Sequence, residues 1–323
     1  MIDLDPEILY QRYQNKEIDK TTLVSSLLLI IEESTYENLR IGAINQLRRL
    51  GITSDHLFTV MENLMISDSN ERVRNVAASY ISFLYFEKSY NVVDWAIQYE
   101  ESYDCIITMI NILKKMQSEE AKNLLISEIS KILNPSDNLT CKPYISHKYR
   151  RRIKSVFKKK DINEFSNKDL AEILINFKTV SFLALSYPNF YFDLDDSNGL
   201  VSEVDLADFL QYEVKGTPFG WKNNIASLSK VKGINNLKFV KKLDLSNNLI
   251  EDLSELTLFK NLETIDLANN KISDRKNIEY INSLPKIRYV DLSGNEIVKK
   301  ISRNDFKPNV KVVLKRFDEL FEF

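Results

Sequence analysis

Four aspartates recur at one place in a repeated phrase: Asp205, Asp244, Asp266 and Asp291. Each lies between two apolar residues of a short alternating run, so each points away from the buried side. Stacked about 4.8 Å apart, as neighbouring strands are, they would form an acidic column. Beside them runs a varied set, Glu203, Lys242, Thr264 and Tyr289, and unlike side chains in a row discriminate better than a uniform one. The opposite charge is gathered elsewhere. Residues 142–160 hold 9 Lys or Arg and no Asp or Glu, among them Arg150, Arg151, Arg152, Lys154, Lys158, Lys159 and Lys160. With Tyr144 and Tyr149 available to stack, this run suits nucleic acid, anionic lipid or an acidic protein. Its structural alternative is a docked basic connector, with Ile153, Val156 and Phe157 as a narrow apolar stripe.

Other chemistry finds little support. The only histidines are His56 and His147 and the only cysteines Cys105 and Cys141, so no metal site or disulfide framework is expected. There is no Gly-rich phosphate loop, no G-x-S-x-G and no Cys with a plausible His partner, so neither an enzyme nor a cofactor is expected. The stretch from Asp193 through Asp195, Asp196 and Asn198-Gly199 brushes the calcium-loop pattern. It places Leu194 and Asp205 where Asp and Glu are needed, so a hairpin turn is the better reading.

The elements that carry the columns are legible. The phrase reads VKKLDLSNNLI at 240–250, LETIDLANNKI at 262–272 and IRYVDLSGNEI at 287–297. Its asparagines Asn248, Asn270 and Asn295 stand 22 and 25 residues apart. That phrase and period resemble leucine-rich repeats, and the Ile after Asn resembles their short SDS22-like class. The resemblance implies stacked coils sharing a core, each strand edge-on to the next. Short strands are therefore expected near 201–206, 241–245, 263–267 and 288–292 in one parallel sheet. The asparagine amides should satisfy turn groups in the interior.

The array is expected to begin near residue 180, where Val180-x-x-Leu183-x-Leu185 matches a first strand, followed by an Asn-Gly hairpin as its cap. Val204 and Leu243 lie 39 residues apart, so a loop is inserted between the first two coils. Phe219 and Trp221 in that loop are either aromatic anchors for a partner or a cap over the core. At the far end, Val310 to Leu314 closes the array. A tail with Phe317, Leu320 and Phe321 on one side reads as an end cap.

The first half reads differently. Only Gly42 and Gly51 precede Gly199, and amphipathic patterns run over 19–33, 37–50, 55–65, 70–86, 92–100, 104–116 and 119–133. Asp5-Pro6-Glu7 opens the series, and Ser166-Asn167-Lys168-Asp169 caps a later helix expected to reach about Phe177. Residues 38–43 and 72–77 align at an offset of 34, with a weaker third unit around Ile106 and Ile110. The phrase Asp68-x-x-x-x-Val73-Arg74-x-x-Ala77-Ala78 resembles a HEAT-like repeat. That resemblance implies Asp and Arg bonding between neighbouring turns.

The resulting expectation is an α solenoid plus an α/β leucine-rich-repeat solenoid. HEAT-like repeats would occupy 1–140, basic connector helices 141–178 and leucine-rich repeats with their caps 179–323. At 323 residues, with 44% hydrophobic and 28% charged residues, the chain suits about two soluble domains. No apolar run is long enough to span a membrane and no secretory signal is readable, so a monomeric cytoplasmic protein is expected. The function implied is a non-catalytic scaffold that binds a partner protein through the concave strands and adjoining loop. Two alternatives stand beside it: an anionic-ligand binder using 142–160, although nucleic acid is not the favoured partner, and a regulatory subunit of a phosphatase or small GTPase.

Overall fold

A computed structural model describes residues 5–134, 143–208 and 223–315, with the backbone alone at 143–146. The chain divides into two compact units, residues 1–128 with 165–171 and residues 129–164 with 172–323.

In the first unit the 3.6-residue patterns become helices α1 (Pro6–Gln14), α2 (Lys20–Glu33), α3 (Glu37–Arg49), α4 (Asp55–Ser67), α5 (Glu71–Leu84), α6 (Ser89–Ala96), α7 (Tyr103–Lys115) and the greater part of α8 (Glu119–Leu133). Side-chain caps set several starts. Asp5 accepts from Glu7 N, Asp19 from Thr22 N, Ser54 from Leu57 N and Asn70 from Arg72 N. The inward stripes supply Leu23, Leu27, Ile44, Leu47, Met61 and Ile81, all fully buried. No strand occurs among the described residues of this unit.

Buried ion pairs recur along the unit. Arg40 on α3 binds Asp68, which also accepts from Asn70 N at the start of α5. One repeat later Arg74 binds Glu100 in two bonds of 2.8 Å, and Glu100 accepts from Ser102 N before α7. Burial alone would raise the Glu100 pKa. The Arg74 bonds and backbone donors outweigh it and hold the carboxyl below its ordinary range. The expected bonding between turns is present, with Glu taking the place of Asp in the second pair. The helix expected over 92–100 ends instead at Ala96. Residues 97–100 form a tight turn, with the Tyr99 and Glu100 amides both donating to Ala96 O, and this turn delivers Glu100 to Arg74.

The second unit contains the end of α8, then α9 (Pro143–Lys159), most of α10 (Asn167–Ser186) and a six-stranded sheet. The expectation of a first strand at 180–185 is wrong. That segment continues α10 to Ser186, burying Val180, Leu183 and Ala184 at i, i+3 and i+4, and Pro188 lies just beyond its end. A short apolar run with a polar gap fits both periods, and the helix already begun at Asn167 decides it.

The sheet runs in chain order: β1 (Tyr191–Leu194), β2 (Val201–Asp205), β3 (Lys242–Asp244), β4 (Thr264–Asp266), β5 (Tyr289–Asp291) and β6 (Lys311–Val313). β1 and β2 form the Asn198-Gly199 hairpin, antiparallel, with Gly199 at φ +73°. Every later pairing is parallel. The expected strands are in the expected places.

The asparagines hold the coils together. Asn270 receives Ile250 N on its Oδ1 (3.0 Å) and donates to Leu245 O and Leu267 O (2.9 and 3.0 Å). Asn248 and Asn295 repeat the pattern one coil to either side. The residue before each must turn through positive φ: Asn247 at 60°, Asn269 at 54° and Gly294 at 73°. Gly294 has a second reason to be glycine, because a Cβ there would lie 2.0 Å from Asn269 Oδ1.

Candidate interaction surface

The strand register converts the repeated phrase into two rows of side chains. Glu203 pairs with Lys242, Lys242 with Thr264, Thr264 with Tyr289 and Tyr289 with Lys311. Asp205, Asp244, Asp266 and Asp291 form the second row, which ends at Val313. The apolar residues between the rows, Val204, Leu243, Ile265 and Val290, are buried. They lie on the opposite face and leave both rows at least partly exposed.

The aspartate row is partly spent on structure. Each carboxylate accepts a bond from the backbone N–H two residues on: Ala207 at 2.9 Å, Ser246 at 2.9 Å, Ala268 at 2.9 Å and Ser293 at 2.8 Å. These bonds start the turn out of each strand, so Asp at this place has a local reason. Burial raises the pKa of Asp205, and the neighbouring Asp244 adds to the rise. The varied row is freer. The Lys242 ammonium pairs with Glu203, and the Lys311 Nζ lies 5.7 Å from the Tyr289 ring centroid. The row thus presents an ion pair, a hydroxyl and a cation over an aromatic ring, in that order. Lys311 is missing from the residues singled out in the sequence. The spacing of Val290 and Val312, which pair across β5 and β6, is the signal that could have included it.

Phe219 and Trp221 lie outside the described residues, as do Phe317, Leu320 and Phe321. The insertion that contains the first two is framed by an element the sequence reading missed. Asn223 donates to Leu206 O at 2.9 Å, the bond that each repeat asparagine makes to its own strand. It is the asparagine of the first coil, separated from its strand by residues 209–222. The buried Asp208 carboxylate accepts from the Asn223 and Asn224 amides and holds the return of the chain. Asn223 Oδ1 is buried without a hydrogen-bond partner among the described residues.

The basic run becomes α9, and its cations divide into two groups. Arg152 bonds to Asp196 (2.6 Å) and Asp193 (3.2 Å), Lys148 reaches Phe192 O and Asp193, and Lys159 donates to Asp196 O. Arg150 is half-buried. Tyr149 is fully buried, its hydroxyl donating to Ile173 O at 2.9 Å. The expectation that Tyr149 could stack on a ligand is therefore wrong: in the helix it shares the inward face with Ile153 and Val156. The Tyr144 side chain lies outside the described residues. The second group is exposed. His147, Arg151, Lys154 and Lys158 follow at i, i+4, i+7 and i+11, one stripe of the helix about 16 Å long at 1.5 Å per residue. Lys159 and Lys160 are exposed beyond it, at the helix end.

Among the described residues no cluster of His, Cys, Asp and Glu is arranged to hold a metal ion. No described helix is long and apolar enough to cross a membrane. The family model described as leucine-rich repeats (2 copies) matches residues 260–307. That segment spans β4 and β5 with the asparagines Asn270 and Asn295, and residues 260–307 are similar to leucine-rich repeats. No curated protein matches the chain. The helices of the first unit fit helical repeats, and leucine-rich repeats suggest protein–protein interaction.

Proposed function

We propose that this protein is a scaffold or adaptor that binds a partner protein through the outward face of β2 to β6. The observation that carries the reading is the row Glu203, Lys242, Thr264, Tyr289 and Lys311. It sets five side chains of different chemistry in register on a backbone fixed by the asparagine ladder. A surface of this kind gains specificity from position, since the strands hold each side chain at little entropic cost on binding. The acidic row from Asp205 to Asp291 adds a uniform negative border that speeds encounter with a cationic surface. The repeats belong, in this reading, to the SDS22-like class, and the first unit is a HEAT-like solenoid whose Arg–carboxylate pairs link successive turns. The sequence has no recognisable catalytic constellation, which fits a non-catalytic role, and its two cysteines fit a reducing, cytoplasmic setting. Regulation of a phosphatase or small GTPase is one form it could take.

Capture from native lysate tests it by comparing the chain with Lys242→Glu and Tyr289→Ala variants. Proteins held by the unaltered chain and lost with either variant are the expected outcome. Retention of the same proteins by both variants would overturn the assignment to this face.

The exposed stripe His147, Arg151, Lys154 and Lys158 supports a second reading, an anionic ligand on α9. Its mark is binding that falls steeply with salt and accepts many polyanions, where a protein-specific surface does neither.

A further inference from the structure

We infer that the first unit carries a separate docking cleft, which takes an arginine of a basic segment on a partner protein. This cleft belongs to a different unit from the repeat face and does not depend on that reading. Trp95 and Tyr99 stand one turn apart at the end of α6, with ring centroids 4.8 Å apart and planes inclined at 41°. They remain 48% and 68% exposed. Ile8, Leu29, Tyr36 and Phe83 of the same unit are exposed too, and what sets Trp95 and Tyr99 apart is that their rings meet and share one opening. Together with Met65, Ile66, Arg74 and Glu101 they line a cleft of about 220 Å³. That is smaller than the roughly 300–1,000 Å³ of sites that enclose a drug-sized ligand. It suits a single side chain.

Charge identifies which side chain. The lining holds three carboxylates, Asp68, Glu100 and Glu101, against one cation, Arg74. Arg40 and Arg74 engage the first two. Glu101 is exposed, and its carboxylate has no ion pair among the described residues. The field around the cleft has the same sign, since residues 1–141 hold 21 Asp or Glu against 13 Lys or Arg. A cation over an indole or phenol face is favoured by the ring quadrupole. A planar guanidinium also stacks on the ring while its edge donates to a carboxylate, which an ammonium cannot match. Trp95 and Tyr99 supply the faces and Glu101 the acceptor.

The chain has two tryptophans, so a Trp221→Phe background leaves Trp95 as the sole indole reporter. The full chain in that background is titrated with a decapeptide of alternating Arg and Ser, and with its Lys–Ser and Glu–Ser counterparts. The expected result is a saturable change in Trp95 emission with the Arg peptide, weaker with Lys and absent with Glu. Tyr99→Ser and Glu101→Lys should each weaken the Arg peptide by about tenfold, equivalent to about 1.4 kcal/mol. Glu33→Lys, at the exposed end of α2, makes the same charge change elsewhere and should leave affinity within about twofold. Equal weakening by Glu33→Lys, equal binding of the Glu peptide, or a flat Trp95 signal would overturn the cleft.

Discussion

The asparagine at the end of each repeat phrase exists for the backbone groups it satisfies. Asn270 has four bonds, one received from the preceding coil and three donated to carbonyls, with the residue 8% exposed. Asn270→Leu removes them all, leaves Ile250 N unpaired in the interior and leaves Leu245 O with only its bond from Asn248. A loss of about 1–3 kcal/mol is expected, read as a lower urea midpoint at unchanged slope. Asp195 provides a pH-dependent counterpart in the hairpin. The Lys241 ammonium at 2.7 Å, together with the Ser197 hydroxyl and N–H, holds its carboxyl down at about 2, below the ordinary 3.8. A depressed folded pKa means the stabilisation is present above the unfolded value and disappears as pH falls through the folded one. The stability difference between the unaltered chain and Asp195→Asn should therefore be full at pH 5 and shrink between about pH 4 and 2. Urea midpoints measured at pH 5 and 2.5 give the comparison, and an equal gap at both would refute the assignment.

At the scale of elements, the helices of the first unit are tied by Arg40 to Asp68 and by Arg74 to Glu100. The second pair is well enclosed, its side chains 18% and 6% exposed. Removing one partner leaves the other uncompensated in a poorly solvated place, which costs about 3–5 kcal/mol for buried pairs. Arg74→Met is expected to fall in the lower part of that range because the guanidinium is partly solvated. Adding Glu100→Gln should restore some of the loss, since a neutral amide needs less compensation. A thermal or urea double-variant cycle measures the coupling, and strictly additive losses would show that the pair does not act as a unit. The turn at 97–100 has two consequences at once. It ends α6 early so that Glu100 reaches Arg74, and it leaves Trp95 and Tyr99 facing outward.

Across the whole molecule, charge is sorted by segment more than it is balanced. The net formal charge is only -2, yet the basic run 142–160 contains no carboxylate. Folding neutralises part of that run, because Asp193 and Asp196 of the hairpin meet Arg152. It aligns the remainder, Arg151, Lys154 and Lys158, on one exposed stripe with His147. Three lysines or arginines on one helix face can neutralise about three phosphates, which supplies weak, non-specific affinity. Binding to generic DNA or RNA at about 0.15 M salt is therefore expected to be micromolar or weaker. An anisotropy titration settles this. Tight saturable binding abolished by changing Arg151, Lys154 and Lys158 to Ser would favour the anionic-ligand reading over the protein-binding one.

Much of this arrangement can be read from local pattern alone. A period of two ending in Asn, written three times, determines which side chains of β3, β4 and β5 turn inward and which stand in the exposed rows. A period of 3.6 with Asp, Ser or Asn at its start determines the helices of the first unit. Both signals are repeated within a few residues, so no distant contact is needed to interpret them. The rest depended on residues brought together from far apart. Val180, Leu183 and Leu185 satisfy a strand pattern, yet a helix nucleated at Asn167 carries through them because propagation costs less than starting anew. Asn223 is a repeat asparagine that no period reveals, since residues 209–222 separate it from the strand it serves. Tyr149 looks available on paper and is buried by the hairpin and α10. The Trp95 cleft draws its walls from α4, α5 and the turn after α6, and only their packing decides that two aromatic rings and an unpaired carboxylate share one opening.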